Sequence, residues 1–87
     1  MHGFKAHIVK KYQRFQQELS AELRMMVRAK GGSIKTDCIS IENEYLYHYT
    51  EIALNEDNDV IFKTSSREHK LEDMNLDIVF KIIATIK

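Results

Sequence analysis

Ser33-Ile34-Lys35-Thr36-Asp37-Cys38-Ile39-Ser40-Ile41-Glu42-Asn43-Glu44-Tyr45-Leu46-Tyr47-His48-Tyr49-Thr50-Glu51-Ile52-Ala53-Leu54 is the stretch on which the fold turns. Its apolar residues alternate, which is the period of a strand and not of a helix. Ser33–Glu42 puts Ile39 and Ile41 on one face and Ile34, Thr36 and Cys38 on the other. In Tyr45–Leu54, Leu46, His48, Thr50, Ile52 and Leu54 oppose Tyr45, Tyr47, Tyr49, Glu51 and Ala53. Asn43-Glu44 between them suits a two-residue hairpin loop.

Downstream, Asn55-Glu56-Asp57-Asn58-Asp59 is a cluster of turn formers. Val60–Ser65 then alternates again as a third strand. The two loop lengths set a register. Glu42 pairs with Tyr45, Ile41 with Leu46 and Ile39 with His48, while Leu54 pairs with Val60 and Ile52 with Phe62. This register predicts one apolar face of Ile39, Ile41, Leu46, Ile52, Leu54, Val60 and Phe62, covered by helix.

Upstream, residues 4–29 read as one long helix. Phe4, Ile8, Tyr12, Phe15, Leu19, Leu23 and Met26 recur at three- and four-residue steps, an arc of roughly 100°. The mean step of about 3.67 residues fits a straight helix on a core, not a left-handed coiled coil. Gly31-Gly32 ends it, with Arg28 and Lys30 near the negative end of the helix dipole. At the other end of the chain, residues 66–74 are polar and read as irregular. A second helix is expected over 76–86, capped by Asn75, with Asp77 in its first turn and Met74 and Val79 as a hydrophobic staple. The fold class is α+β: a single domain over residues 1–87, in the order αβββα, with an antiparallel meander between two helices.

Composition narrows the function classes. The chain has 87 residues, is 44% hydrophobic and 30% charged, and its one Cys allows neither an internal disulfide nor a cysteine-rich zinc site. The longest apolar stretch, 78–86, is interrupted by Lys81 and is short of the ~20 residues that span a bilayer. The N-terminus has no continuous apolar run of the signal-peptide kind. A cytoplasmic protein without a membrane partner is expected. A domain of this size buries only about 60–65% of its unfolded surface, so a homodimer is expected as well.

No catalytic, metal or cofactor site is expected. Cys38 and His48 are the only thiol–imidazole pair, and the register sets them on opposite faces. Asp57-Asn58-Asp59 with Glu68 has the acidic start of an EF-hand loop, but Ile61 stands at an oxygen-ligand position and Phe62 where the turn needs Gly. No phosphate loop, dinucleotide fingerprint or nucleophile elbow occurs.

Two surfaces remain. The formal net charge is zero, yet residues 1–30 carry seven cations against two carboxylates, and residues 31–87 six against eleven. Lys10, Arg14, Arg24 and Arg28 lie along one side of the first helix, opposite its apolar stripe, as candidate phosphate contacts. Glu18 and Glu22 flank that stripe, and the pI near 6.9 is low for a nucleic-acid binder. Tyr45, Tyr47 and Tyr49 project from one face of the middle strand as a candidate interface, where Tyr offers apolar area and a polar tip. The expected function is a small non-enzymatic binding or regulatory domain whose partner is a protein, the alternative being nucleic acid on the basic helix face. In size and order of elements the chain is similar to many small proteins carried by bacterial mobile elements and prophages.

Overall fold

Asn43 and Glu44 both hold positive φ, 51° and 70°, the backbone of a two-residue turn whose twist matches its flanking strands. In the computed structural model, which describes residues 2–87 and side chains from Lys10 onward, this turn joins β1 (Ser33–Glu42) to β2 (Tyr45–Leu54). The expected pairs Glu42↔Tyr45, Ile41↔Leu46 and Ile39↔His48 are all present. So are Ile52↔Phe62 and Leu54↔Val60 between β2 and β3 (Val60–Lys63).

The predicted apolar face nevertheless divides, with Ile52, Leu54, Val60 and Phe62 under the helices and Ile39, Ile41 and Leu46 not, because the β1–β2 register shifts by one residue midway. Ile34 pairs with Ile52 and Lys35 with Glu51, but the next pair is Cys38↔Tyr49. Thr36 and Asp37 therefore stand together opposite Thr50, a β-bulge. β1 keeps Ile34, Thr36, Cys38 and Ser40 buried throughout. In β2 the covered side chains change from Tyr47 and Tyr49 to Ile52 and Leu54. Ile39, Ile41 and Leu46 consequently sit on the opposite, open face, 63%, 73% and 66% exposed. Buried Thr36 donates its hydroxyl proton to the Tyr49 carbonyl at 3.0 Å, tying the strands beside the bulge.

The antiparallel sheet has four strands, ordered β1-β2-β3-β4, where the sequence suggests three. Chain direction reverses after Lys63 through a turn in which Thr64 Oγ1 accepts from the Arg67 amide at 3.0 Å. β4 (Glu68–Lys70) then pairs Phe62 with His69, and a 3-10 turn over Leu71–Asp73 follows. The stretch read as irregular thus holds an edge strand. It is three residues long and polar, so it carries no alternation to read.

α1 (His2–Ala29) ends as expected. Gly32 N–H donates to the Val27 carbonyl at 2.9 Å and Gly31 N–H to Arg28 at 3.1 Å, with Gly31 at φ 88°. That is the Schellman pattern, which satisfies two of the last carbonyls of the helix. α2 (Leu76–Ile83) is capped by Asn75, whose side chain accepts from the Asp77 amide at 2.8 Å. It stops short of 86. Thr85 donates to the Ile82 carbonyl at 2.7 Å and accepts from the Asp37 amide at 3.0 Å, which turns the chain onto the β1 edge.

Both helices cover one face of the sheet. Leu23 and Val27 of α1 and Val79 and Ile82 of α2 close over Ile34, Cys38, Tyr49, Ile52, Val60 and Phe62, with Leu71 and Met74 at the margin. The expected α1 stripe only partly enters this core. Leu23 is buried and Leu19 packs at its edge, but Tyr12, Phe15 and Met26 stay substantially exposed, while Val27, outside the stripe, is fully buried. α1 docks turned toward its Leu23–Val27 side, and its N-terminal half carries on past the sheet.

Among the described residues no helix packs on the other face, although the Ala53↔Ile61 pair is buried on it, and one row of it is ionic. Lys35, Glu51, Lys63 and Glu68 are cross-strand partners in succession. Their ion pairs measure 3.4, 3.8 and 3.9 Å, so charge alternates across all four strands. Partial burial works to raise the Glu51 pKa. Hydrogen bonds from Ser33 and Lys35, and the charges of Lys35 and Lys63, outweigh it and hold the carboxyl below its ordinary value.

Candidate protein-binding site

The outer half of the β1–β2 hairpin extends beyond β3, whose pairing with β2 begins only at Glu51. Glu42↔Tyr45 closes a two-residue hairpin, so it is a hydrogen-bonded pair, and Ser40↔Tyr47 and Cys38↔Tyr49 follow it in phase. The intervening residues of β1, Ile39 and Ile41, therefore turn their N–H and C=O groups to the outer edge. Lower on that edge the C-terminal segment satisfies the backbone: Lys87 N–H donates to the Lys35 carbonyl at 3.2 Å and Asp37 N–H donates to Thr85. Past Asp37, no backbone partner for the outer edge of β1 occurs among the described residues.

Ile39, Ile41 and Leu46 form the open face of this free edge. A polar pair bounds them on one side, His48 Nε2 and Asp37 Oδ1, 2.6 Å apart. The hydrogen bond from His48 and the nearby charge of Lys87 hold the Asp37 carboxyl below its ordinary value. It is therefore an anion at neutral pH, and His48 is the donor. Glu44 in the turn adds a second anion at the far side. The site is thus a free strand edge, an apolar surface of three aliphatic side chains and an acidic rim. It can accept an extended segment whose backbone completes the ladder. The aliphatic alternation was readable in the sequence. The bulge that turns it outward was not.

The predicted site residues separate. Tyr45 is exposed at the hairpin end, Tyr47 is half-buried and Tyr49 is 1% exposed within the core. Tyr49 donates its hydroxyl proton to Glu42 at 2.9 Å, and burial together with that bond raises its pKa. His69 of β4 lies T-shaped to Tyr47 and also contacts Tyr49, ring centroids 5.5 and 5.8 Å away. Its buried Nε2 has no hydrogen-bond partner among the described residues. Tyr47 and Tyr49 serve this internal cluster, on the face opposite Glu51, which the alternation along β2 predicts beside them.

The four candidate phosphate contacts also separate. Arg24 Nε donates to the Asn58 carbonyl at 3.0 Å and Arg28 to Asn58 Oδ1 at 2.9 Å. These two guanidiniums hold the β2–β3 loop, which Asn55 organises by accepting from the amides of Asp57 and Asp59. Arg14 faces Glu18 at 3.6 Å, and Lys10 is exposed on the projecting half of α1.

Cys38 is buried, which pushes its thiol pKa up, and it shares a face with Tyr49, while His48 is on the other. Among the described residues no group of three His, Cys, Asp or Glu is placed to hold a metal ion. No described helix is long and apolar enough to cross a membrane. A groove of about 380 Å3 runs between α1 and the β3–β4 end and is lined by Gln13, Gln16, Gln17, Asp59, Lys70 and Glu72 among others. No family model, curated protein or solved structure matches this chain.

Proposed function

We propose that this chain is a non-enzymatic protein-binding module of the cytoplasm that takes up an extended segment of a partner protein as a further strand beside β1. One observation carries the reading: Ile39, Ile41 and Leu46 stand more than 60% exposed on a hairpin whose outer β1 edge has no backbone partner among the described residues. Such an edge is an aggregation hazard unless something covers it or blunts it. Here the lower part of the edge is covered by the C-terminal segment and the upper part is not. The partner segment carries apolar side chains at alternate positions, to meet Ile39 and Ile41, and cations at its ends, to meet Asp37 and Glu44. A homodimer belongs to the same reading, because the core of an 87-residue chain is small.

Affinity capture from the native cell, with a nuclease-treated arm, tests the proposal. The expected result is a captured protein that survives nuclease and is lost when Ile39→Lys and Ile41→Lys are combined. Amide exchange at residues 39 and 41 should slow in the complex. Capture that depends on nucleic acid, or that the two lysines leave intact, would overturn it. Phosphate binding along α1 is the weaker reading, because Arg24 and Arg28 are already engaged by Asn58.

A further inference from the structure

The projecting half of α1 presents a second apolar surface, separate from the hairpin edge. On α1, Leu23 and Val27 face the sheet, whereas Tyr12, Phe15 and Met26 form a shoulder left 46%, 44% and 42% exposed. Phe80 of α2 joins this shoulder, its ring 6.0 Å from that of Phe15, and is itself exposed. At about 100° per residue, Tyr12, Phe15, Leu19 and Met26 fall in an arc of roughly 60°, with Glu22 at its border.

The sequence at the start of α1 does not favour the helix dipole. Its first turn has no acidic residue, and the chain near it carries Lys5, Lys10 and Lys11, the wrong sign for the positive end of the helix dipole. A helical segment without a favourable end depends on burial of its apolar face.

The shoulder is self-complementary in charge. Lys11 precedes Phe15 by four residues and Glu18 follows it by three, and the two lie within about 20° of one another on the same flank. Two such helices crossing antiparallel at Phe15 bring Lys11 of each chain opposite Glu18 of the other, offset by one residue, about 1.5 Å along the axis. In a parallel pair related by a twofold axis these flanks fall on opposite sides of the seam, and neither contact forms.

We infer that the shoulder is covered by a second copy of this chain, α1 crossing α1 antiparallel near Phe15, with Phe80 of each copy beside the crossing. This rests on the homodimer of the preceding reading and is independent of strand addition at β1.

Mass by light scattering at ~50 micromolar, well above the concentration at which a stable dimer dissociates, tests it. Wild type and Ile41→Lys should both have the dimer mass. Phe15→Lys should be a folded monomer that loses only part of the helical circular-dichroism signal, as the uncovered first half of α1 frays. Lys11→Glu and Glu18→Lys should each weaken association about threefold, the scale of a partly exposed ion pair, and the double reversal should restore it. A monomeric wild type overturns the inference. So does a dimer that Ile41→Lys abolishes and Phe15→Lys preserves, which would place the contact on β1. A double reversal no better than the single variants overturns the antiparallel crossing. Loss of partner capture with the dimer intact, or the converse, tells the two proposals apart.

Discussion

Glu44 occupies the second position of the hairpin turn at φ 70°, a conformation that costs a side-chain-bearing residue about 1–2 kcal/mol and a glycine almost nothing. Asn43 before it tolerates the left-handed region, so Asn-Gly is the better sequence for this backbone. Glu44→Gly should raise stability by about 0.5–1 kcal/mol after the entropy of glycine in the unfolded chain is subtracted. A denaturant midpoint no higher than wild type would contradict the strain. Tyr49 gives the complementary case of a titrating group. Burial and the bond to Glu42 raise its pKa, so folding favours the neutral phenol. That contribution is intact below the ordinary tyrosine value of about 10 and is lost as pH rises through and above it. Wild type should therefore lose stability more steeply above about pH 10 than Tyr49→Phe does. Equal slopes in denaturant midpoints measured from pH 8 upward, roughly the neutral side of the tyrosine range, would show that the phenol does not titrate on unfolding.

The element on which the architecture turns is the bulge at Thr36-Asp37. Thr36→Val removes the hydroxyl that meets the Tyr49 carbonyl and should cost about 1–2 kcal/mol, because a buried acceptor loses its donor. A cost within ~0.5 kcal/mol, the range of surface substitutions, would mean that the bond does not stabilise the bulge. The same bulge marks where the sequence stops being legible. The limits of β1 and β2, the expected hairpin pairs, the Gly31-Gly32 helix end and the Asn75 cap are all local signals and can be read from adjacent residues, whereas β3 ends at Lys63 and not at the expected Ser65. Ile39, Ile41 and Leu46 look identical in pattern to Ile52 and Leu54. Only the extra residue in β1, invisible to a period-two count, sends them to opposite faces. β4 was hidden for a different reason: pairing of Glu68–Lys70 with β3 is tertiary, and its polar side chains follow no apolar alternation. Within the α1 stripe, spacing places Phe15 and Leu23 on one side, but the docking angle that buries Leu23 and leaves Phe15 half-exposed is set by the sheet and α2.

Over the whole molecule, neutrality conceals a division of labour among charges. Arg24 and Arg28 hold the β2–β3 loop, Lys35 and Lys63 belong to the ionic row of the open face, and Lys10 and Lys11 lie on the projecting half of α1. The two apolar surfaces are likewise separate, one on the outer hairpin and one along α1 and α2. Their separation has a thermodynamic consequence. If α1 is stabilised by a second copy, unfolding of the chain includes dissociation, and its midpoint must depend on concentration. Tenfold dilution lowers dimer stability by about 1.4 kcal/mol. For a dimer of this size that is a fall of roughly 3–5 °C in Tm. Phe15→Lys, as a monomer, should melt at one temperature over the same range and below wild type at high concentration. Ile41→Lys touches no core residue, so it should keep both the wild-type midpoint and its concentration dependence. A wild-type midpoint that does not move over two decades of concentration, ~2.8 kcal/mol in that linkage, would mean that the chain folds alone and that the α1 shoulder contributes nothing to its stability.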